Sequence, residues 1–186
     1  MSDILWRRLR YMLSPQWDIY KHIARNVHKK TVLEVGFGTG IGTIQLAQTA
    51  AFVEGWEKDF DARDFAANCL PARNVVYFIG DIAGDPPYRE FDVVVMVEVL
   101  EHIEDWQKAL AAVHKRLKPD GELYITARNA NADLRRNDLH EREWTAKEFK
   151  DALGQFFSEV TLYDYTLRME QSENTRITPL VALAVK

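Results

Sequence analysis

The chain has 186 residues, of which 47% are hydrophobic and 28% charged, an ordinary balance for a soluble globular domain and too apolar for a disordered one. Its formal net charge of -4 excludes an extended basic face for duplex nucleic acid, so DNA is not an expected partner. A single cysteine, Cys69, excludes an internal disulfide and fits a reducing compartment, and no apolar run is long enough for a membrane span. The N-terminus lacks the apolar stretch and cleavage site of a secretory signal, so the sequence reads as a cytoplasmic protein whose residues 1–186 make one domain.

Residues 1–30 read as a helical segment. Leu5, Trp6, Leu9, Met12 and Leu13 recur at helical spacing with Arg7, Arg8 and Arg10 between them, and a second helical pattern runs through Trp17, Tyr20, Ile23 and Ala24. From Thr31 the pattern alternates between strands and helices, which predicts βαβ units and a parallel sheet over residues 31–186. Thr31–Val35 is a buried strand, Ile41–Ala50 a helix, Ala51–Trp56 a strand, Phe60–Cys69 a helix ended by Leu70-Pro71, and Val75–Ile79 a strand.

Phe91–Val97 is too apolar to be half-exposed and is expected at the sheet centre, covered on both faces. Trp106, Leu110, Val113 and Leu117 recur at intervals of three and four and predict a helix that stops at Lys118-Pro119-Asp120-Gly121, before a strand Glu122–Ala127. Arg128–Arg142 is polar and aperiodic, a loop of the length that often carries function. A helix Thr145–Leu153, with a capping box between Thr145 and Glu148, then leads to strands Glu159–Tyr165 and Leu180–Lys186.

The most informative stretch is Val32-Leu33-Glu34-Val35-Gly36-Phe37-Gly38-Thr39-Gly40, a strand that runs into alternate glycines and then into a helix. Glycine tolerates positive φ and has no Cβ, so such a turn can press its backbone against a nucleotide-like ligand and offer its N–H groups. Glu57, seventeen residues beyond Gly40 at the end of the next strand, would place a carboxylate within reach of both ribose hydroxyls of a nucleoside. Dinucleotide-binding oxidoreductases carry a similar acid, but their loop is G-x-G-x-x-G and position 41 here is Ile.

These residues, together with Gly80-Asp81-Ile82 after the third strand and Leu117-Lys118-Pro119-Asp120-Gly121-Glu122 before the fifth, resemble the class I S-adenosylmethionine (SAM)-dependent methyltransferases from about Val32 to Lys186. The resemblance implies a three-layer αβα fold around a seven-stranded, mostly parallel, Rossmann-like sheet whose last strand is antiparallel. It also implies a cofactor site of Glu34, Gly36, Phe37, Gly38, Thr39, Gly40, Glu57, Lys58, Asp81, Ile82 and Val97. Within that set, Asp81 would bind the adenine amino group, Ile82 would pack on the ring, and Gly36–Gly40 would lie along the methionine part. The alternative reading of Asp81 is a helix N-cap.

Transfer of a methyl group from a sulfonium is an in-line displacement, so the protein contributes positioning and, for a hydroxyl acceptor, help with its proton. Glu98, Glu101 and His102 stand at i, i+3 and i+4 and would share one face of a helical turn. With His140 from the long loop they make a ligand set suited to Mg, Mn, Fe or Zn.

An E-x-x-E-H run followed by such a histidine and an E-W-T helix start looks like two subfamilies. One comprises metal-dependent O-methyltransferases of quinone biosynthesis, the other enzymes that modify the 2′-hydroxyl of small-RNA 3′ ends. Without a metal, His102 or His140 is the candidate general base. A small-molecule hydroxyl is the favoured acceptor. Arg135, Arg136 and Arg142 speak for RNA, whereas the acidic balance speaks against it, and a non-catalytic cofactor-binding protein is the remaining alternative.

Overall fold

The computed structural model describes residues 15–84, 89–132 and 141–186. The stretch around Leu5–Leu13 with its three arginines, and His140 with Arg135 and Arg136, therefore lie outside the described residues. In chain order the elements are α1 (Pro15–Asn26), β1 (Thr31–Val35), α2 (Ile41–Ala47), β2 (Phe52–Glu57), α3 (Phe60–Cys69), β3 (Val75–Ile79), β4 (Phe91–Met96), a short 3-10 turn Leu100–His102, α4 (Trp106–Arg116), β5 (Leu117–Ala127), α5 (Ala146–Leu153), β6 (Glu159–Tyr163) and β7 (Leu180–Val185).

The strands form one sheet in the order β3-β2-β1-β4-β5-β7-β6, parallel except that β7 runs antiparallel to both β5 and β6. The chain starts in the middle, steps outward through β2 to β3, then returns to the other side of β1. Right-handed crossovers moving in opposite directions place their helices on opposite faces. Accordingly α1 and α2 pack one face, through Ile19, Ile23 and Leu46 against Val32, Val53, Val93 and Val95. Helices α4 and α5 pack the other, through Leu110, Val113 and Phe149 against Leu33, Val94, Met96 and Ile125. β4 is covered on both sides, as its apolar run requires.

The side-chain alternation of β1 has a consequence for the site: Leu33 and Val35 face α4, whereas Val32 and Glu34 face α1 and α2. A carboxylate is thereby committed to the core.

Most boundaries lie within two residues of the sequence reading, and two differ by more. Helix α2 ends at Ala47, three residues early, because Thr49 turns its hydroxyl onto the Ala24 carbonyl and its carbonyl accepts from the Lys29 N–H. At Lys118–Gly121 the chain does not leave the sheet: β5 begins at Leu117, and the pairing with β4 jumps from Phe91↔Leu117 to Val93↔Glu122. The extra residues form a bulge, with Asp120 in the left-handed region at φ 60° and Lys118 Nζ 2.6 Å from Asp92 Oδ1.

The capping box at α5 forms as read: the Thr145 hydroxyl accepts from the Glu148 N–H at 3.2 Å, and the Glu148 carboxylate accepts from the Thr145 N–H at 2.9 Å. Replacing Thr145 by Ala should lower stability by about 1 kcal/mol, measured as a shift of the urea midpoint with unchanged slope.

Candidate functional site

The reversal of strand order between β1 and β4 opens a crevice at their carboxyl ends, where ligands of open α/β sheets bind. The crevice is a cleft of about 290 Å³, at the small end of the range for small-molecule sites. Val35, Gly36, Trp56, Glu57, Lys58, Gly80 and Ile82 line one part of it, and Glu98, Val99, His102 and Ile103 the other.

The glycine loop meets the cleft at Gly36. Gly36, Gly38 and Gly40 all have positive φ, at 70°, 53° and 78°. A Cβ on Gly36 would stand 2.4 Å from Val99 Cγ2 and one on Gly40 2.9 Å from Ala66 Cβ, so both positions are closed to any side chain by packing as well as by backbone. Gly38 differs, since nothing lies within 4 Å of where its Cβ would be. Its N–H donates to Glu57 Oε2 at 2.8 Å, and Oε1 of the same carboxylate accepts from the N–H groups of Lys58 and Asp59 at 2.8 and 3.1 Å. An ionised carboxylate offers about four acceptor positions, so three backbone donors leave capacity for a ligand hydroxyl.

Trp56, unnoticed in the sequence, forms a wall of the cleft. Gly80 packs on its indole, where a Cβ would be 2.7 Å from the ring, and the buried Arg116 guanidinium lies 4.9 Å from the ring centroid. Arg116 Nη1 also donates to the Ala112 carbonyl at 3.1 Å. Asp81 sits beside the cleft between the lining residues Gly80 and Ile82. Its carboxylate accepts from the Ala83 N–H at 2.9 Å and pairs with Lys58 at 2.9 Å. Burial pushes the Asp81 carboxyl up, but the Lys58 and Ala83 hydrogen bonds outweigh it and hold it below its ordinary value.

Not all of the expected cofactor set meets the cleft. The Phe37 ring is buried and stacks at 5.0 Å on Tyr77 over Gly55, so its side chain supports the loop from behind. Val97 packs into the core on the α1/α2 face of the sheet. Glu34 is fully buried behind β1.

The Glu98, Glu101 and His102 set also separates. Glu98 precedes the 3-10 turn in the left-handed region at φ 57°, so the three residues do not share one helical face. The carboxylate of Glu98 accepts from the Thr126 hydroxyl at 3.0 Å, and that hydroxyl accepts from the Glu98 N–H at 2.8 Å. Glu98 and His102 line the cleft, whereas the Glu101 carboxyl is fully buried behind it, with neither oxygen hydrogen-bonded among the described residues. Burial, then the neighbouring Glu98 charge, pushes Glu101 well above the carboxylate range. Among the described residues no three acidic, histidine or cysteine side chains are grouped to hold a metal ion. Glu98, Glu101 and His102 are thus not gathered around one point, and His140 lies outside the described residues.

The long loop is anchored rather than free at its described ends. Ala130 N–H donates to the Trp144 carbonyl at 2.8 Å, Trp144 N–H to the Arg128 carbonyl at 3.1 Å, and Glu141 N–H to the Glu101 carbonyl at 2.8 Å. Arg142 lies over the Trp144 ring at 4.1 Å and pairs with Glu148 at 3.6 Å.

Comparison with known proteins agrees with this geometry. Residues 5–168 match the family described as a methyltransferase domain. A ubiquinone biosynthesis O-methyltransferase of Salmonella paratyphi A is 31% identical over 106 residues, a match that covers 55% of this chain and only 44% of that protein. In fold, a SAM-dependent methyltransferase from Thermotoga maritima superposes with a TM-score of 0.74 at 19% identity, over 98% of this chain and 96% of the other. A TehB-like SAM-dependent methyltransferase from Corynebacterium glutamicum gives 0.72 at 21%, over 97% and 94%. Since the family match spans most of the sequence and the sheet order places a cleft at the β1/β4 reversal, the chain belongs to the methyltransferase domain family and has the fold of the SAM-dependent methyltransferases it superposes on.

Proposed function

We propose that the chain methylates a hydroxyl group of a small molecule held in the β1/β4 cleft. The observation that carries this reading is the division of the cleft, with Gly36, Glu57, Lys58 and Ile82 on one side and Glu98 and His102 facing them from the other. The partial match to an O-methyltransferase supports oxygen as the acceptor atom.

In this reading Glu57 accepts from a ribose hydroxyl, Asp81 from the adenine amino group, and Ile82 with Trp56 covers the faces of the base. Gly36 lies along the amino-acid part. Bound there, SAM supplies an electrophilic methyl group on a sulfonium. On the acceptor side His102 would take the proton of the acceptor hydroxyl as the methyl group leaves the sulfonium for that oxygen. His140, in the long loop, is the second candidate for that proton. Glu98 fixes the acceptor through its carboxylate.

RNA as the acceptor has less support. Of the arginines that suggested it, Arg142 is engaged by Trp144 and Glu148, which occupies its guanidinium with the protein's own groups. The described residues contain no helix long and apolar enough to cross a membrane.

Two experiments test the reading. Glu57→Ala and Asp81→Ala should each weaken binding of S-adenosylhomocysteine by about 1.5 to 3 kcal/mol in calorimetric titration, and unchanged affinity in both would refute the placement. A mass-spectrometric screen with labelled SAM against phenols, amines and short RNAs should show transfer to a phenol, lost in His102→Ala with cofactor affinity retained. Transfer to amines alone would overturn the hydroxyl assignment. A further expectation concerns Glu101. Because its folded pKa lies above the unfolded value, its contribution to stability is full below about pH 4.3 and is lost as the pH rises toward the folded value. Glu101→Gln should therefore flatten the fall of stability over that window, as read from urea midpoints across pH.

A further inference from the structure

Helix α1 does not line the cleft, yet one of its side chains reaches the strand that carries the glycine loop. The Tyr20 ring is seated on Gly42 of α2, where a Cβ would stand 2.3 Å from its Cζ. From that seat the hydroxyl donates to Glu34 Oε1 at 2.6 Å. Glu34 is fully buried and is followed directly by Val35 and Gly36, both of which line the cleft. Its Oε2 has no hydrogen-bond partner among the described residues, and the buried Thr43 hydroxyl of α2 beside it has none either. Tyr20 is therefore the hydrogen-bond donor that fixes this carboxyl.

We infer that Tyr20 is a positioning residue of the cofactor site: by holding Glu34 it sets the end of β1 and the glycine loop, and so makes helix α1 part of the support for SAM. This rests on the cofactor reading given above. Only glycine at position 42 admits the tyrosine ring, so the small residue two places after the loop and the aromatic on α1 act as one joint. The Gly40 N–H donates to the Phe37 carbonyl at 2.9 Å and Phe37 leans on Gly55 and Tyr77, which leaves the loop gripped from β2 and β3 on one side and from α1 on the other.

The charge surroundings supply a readout that packing alone would not move. Burial pushes the Glu34 carboxyl up to about 7, the nearby Thr43 and Tyr20 hydroxyls oppose this, and the Glu57 charge adds to it. The other group facing it, Tyr77 from β3, is itself pushed up by burial and by Glu34. SAM carries one more positive charge than S-adenosylhomocysteine, so an ionised Glu34 favours SAM, and its affinity should climb as the pH rises through about 7. Loss of the Tyr20 hydroxyl penalises the ionised carboxylate and moves that climb to higher pH.

The test is calorimetric titration of the purified chain with SAM and with S-adenosylhomocysteine across neutral pH, for wild type, Tyr20→Phe, Glu34→Gln and the double variant. Tyr20→Phe keeps the ring on Gly42 and should weaken S-adenosylhomocysteine binding about fivefold, the worth of one net hydrogen bond. It should also displace the SAM profile upward in pH. Glu34→Gln should flatten the profile, and adding Tyr20→Phe to it should change binding no further. A Tyr20→Phe protein that melts lower but binds both ligands with wild-type affinity and pH profile would overturn the inference, as would losses that simply add in the double variant. Failure of the wild type itself to bind S-adenosylhomocysteine would instead sink the cofactor reading, and the inference with it.

Discussion

The hydrogen bond from the Gly38 N–H to the Glu57 carboxylate ties together the carboxyl ends of the two strands on which the site depends. β1 ends in a loop whose three glycines have left-handed backbones, a conformation with little intrinsic preference to persist. One carboxylate from β2 fixes it by accepting from the loop with one oxygen and from the turn after β2 with the other. Because those donors are backbone groups, the same carboxylate is held rigid before any ligand arrives. A hydroxyl that reaches it then meets an acceptor whose orientation has already been set, which lowers the entropic cost of binding.

Strain in this chain is placed where that geometry is needed. Besides the glycines, Glu98 adopts a positive φ at the end of β4, directly across the crevice from the loop. Glutamate does so at a cost of order 1 to 3 kcal/mol. The cost is offset by Thr126, whose hydroxyl bonds to both the N–H and the carboxylate of Glu98. A residue kept in such a conformation by a buried partner points its side chain where an ordinary strand ending would not. That aim is toward the cleft.

The sheet and most of its elements were legible because their signals are local. The apolar run Phe91–Met96, the Pro71 stop after α3 and the Thr145–Glu148 box each act over a few residues, and the structure follows them. The Lys118–Gly121 bulge escaped notice because Pro and Gly end helices and distort strands alike, and only pairing with β4 decides between the two. The glycine loop and Glu57 were legible for the same local reason. The common face expected of Glu98, Glu101 and His102 did not form, since spacing of three and four residues implies one only if the backbone is helical, and the left-handed Glu98 breaks that premise. Trp56 carried a faint signal, an aromatic residue beside the acid. Tyr20 carried none, because its partner lies fourteen positions on and is chosen by tertiary contact.

The placement of the acceptor chemistry follows from the same topology. The Glu101 carbonyl accepts from Glu141 and Arg142, so the far end of the long loop is pinned to the turn that presents His102. Arg128 pairs with Glu143 at 2.9 Å and Asn129 donates to the carbonyls of Thr175 and Ile177, which ties the near end to the approach to β7. Both described ends of the loop are thus clamped to elements that flank the cleft. A rigid scaffold that fixes the ends of a loop in this way is where binding residues are disproportionately found.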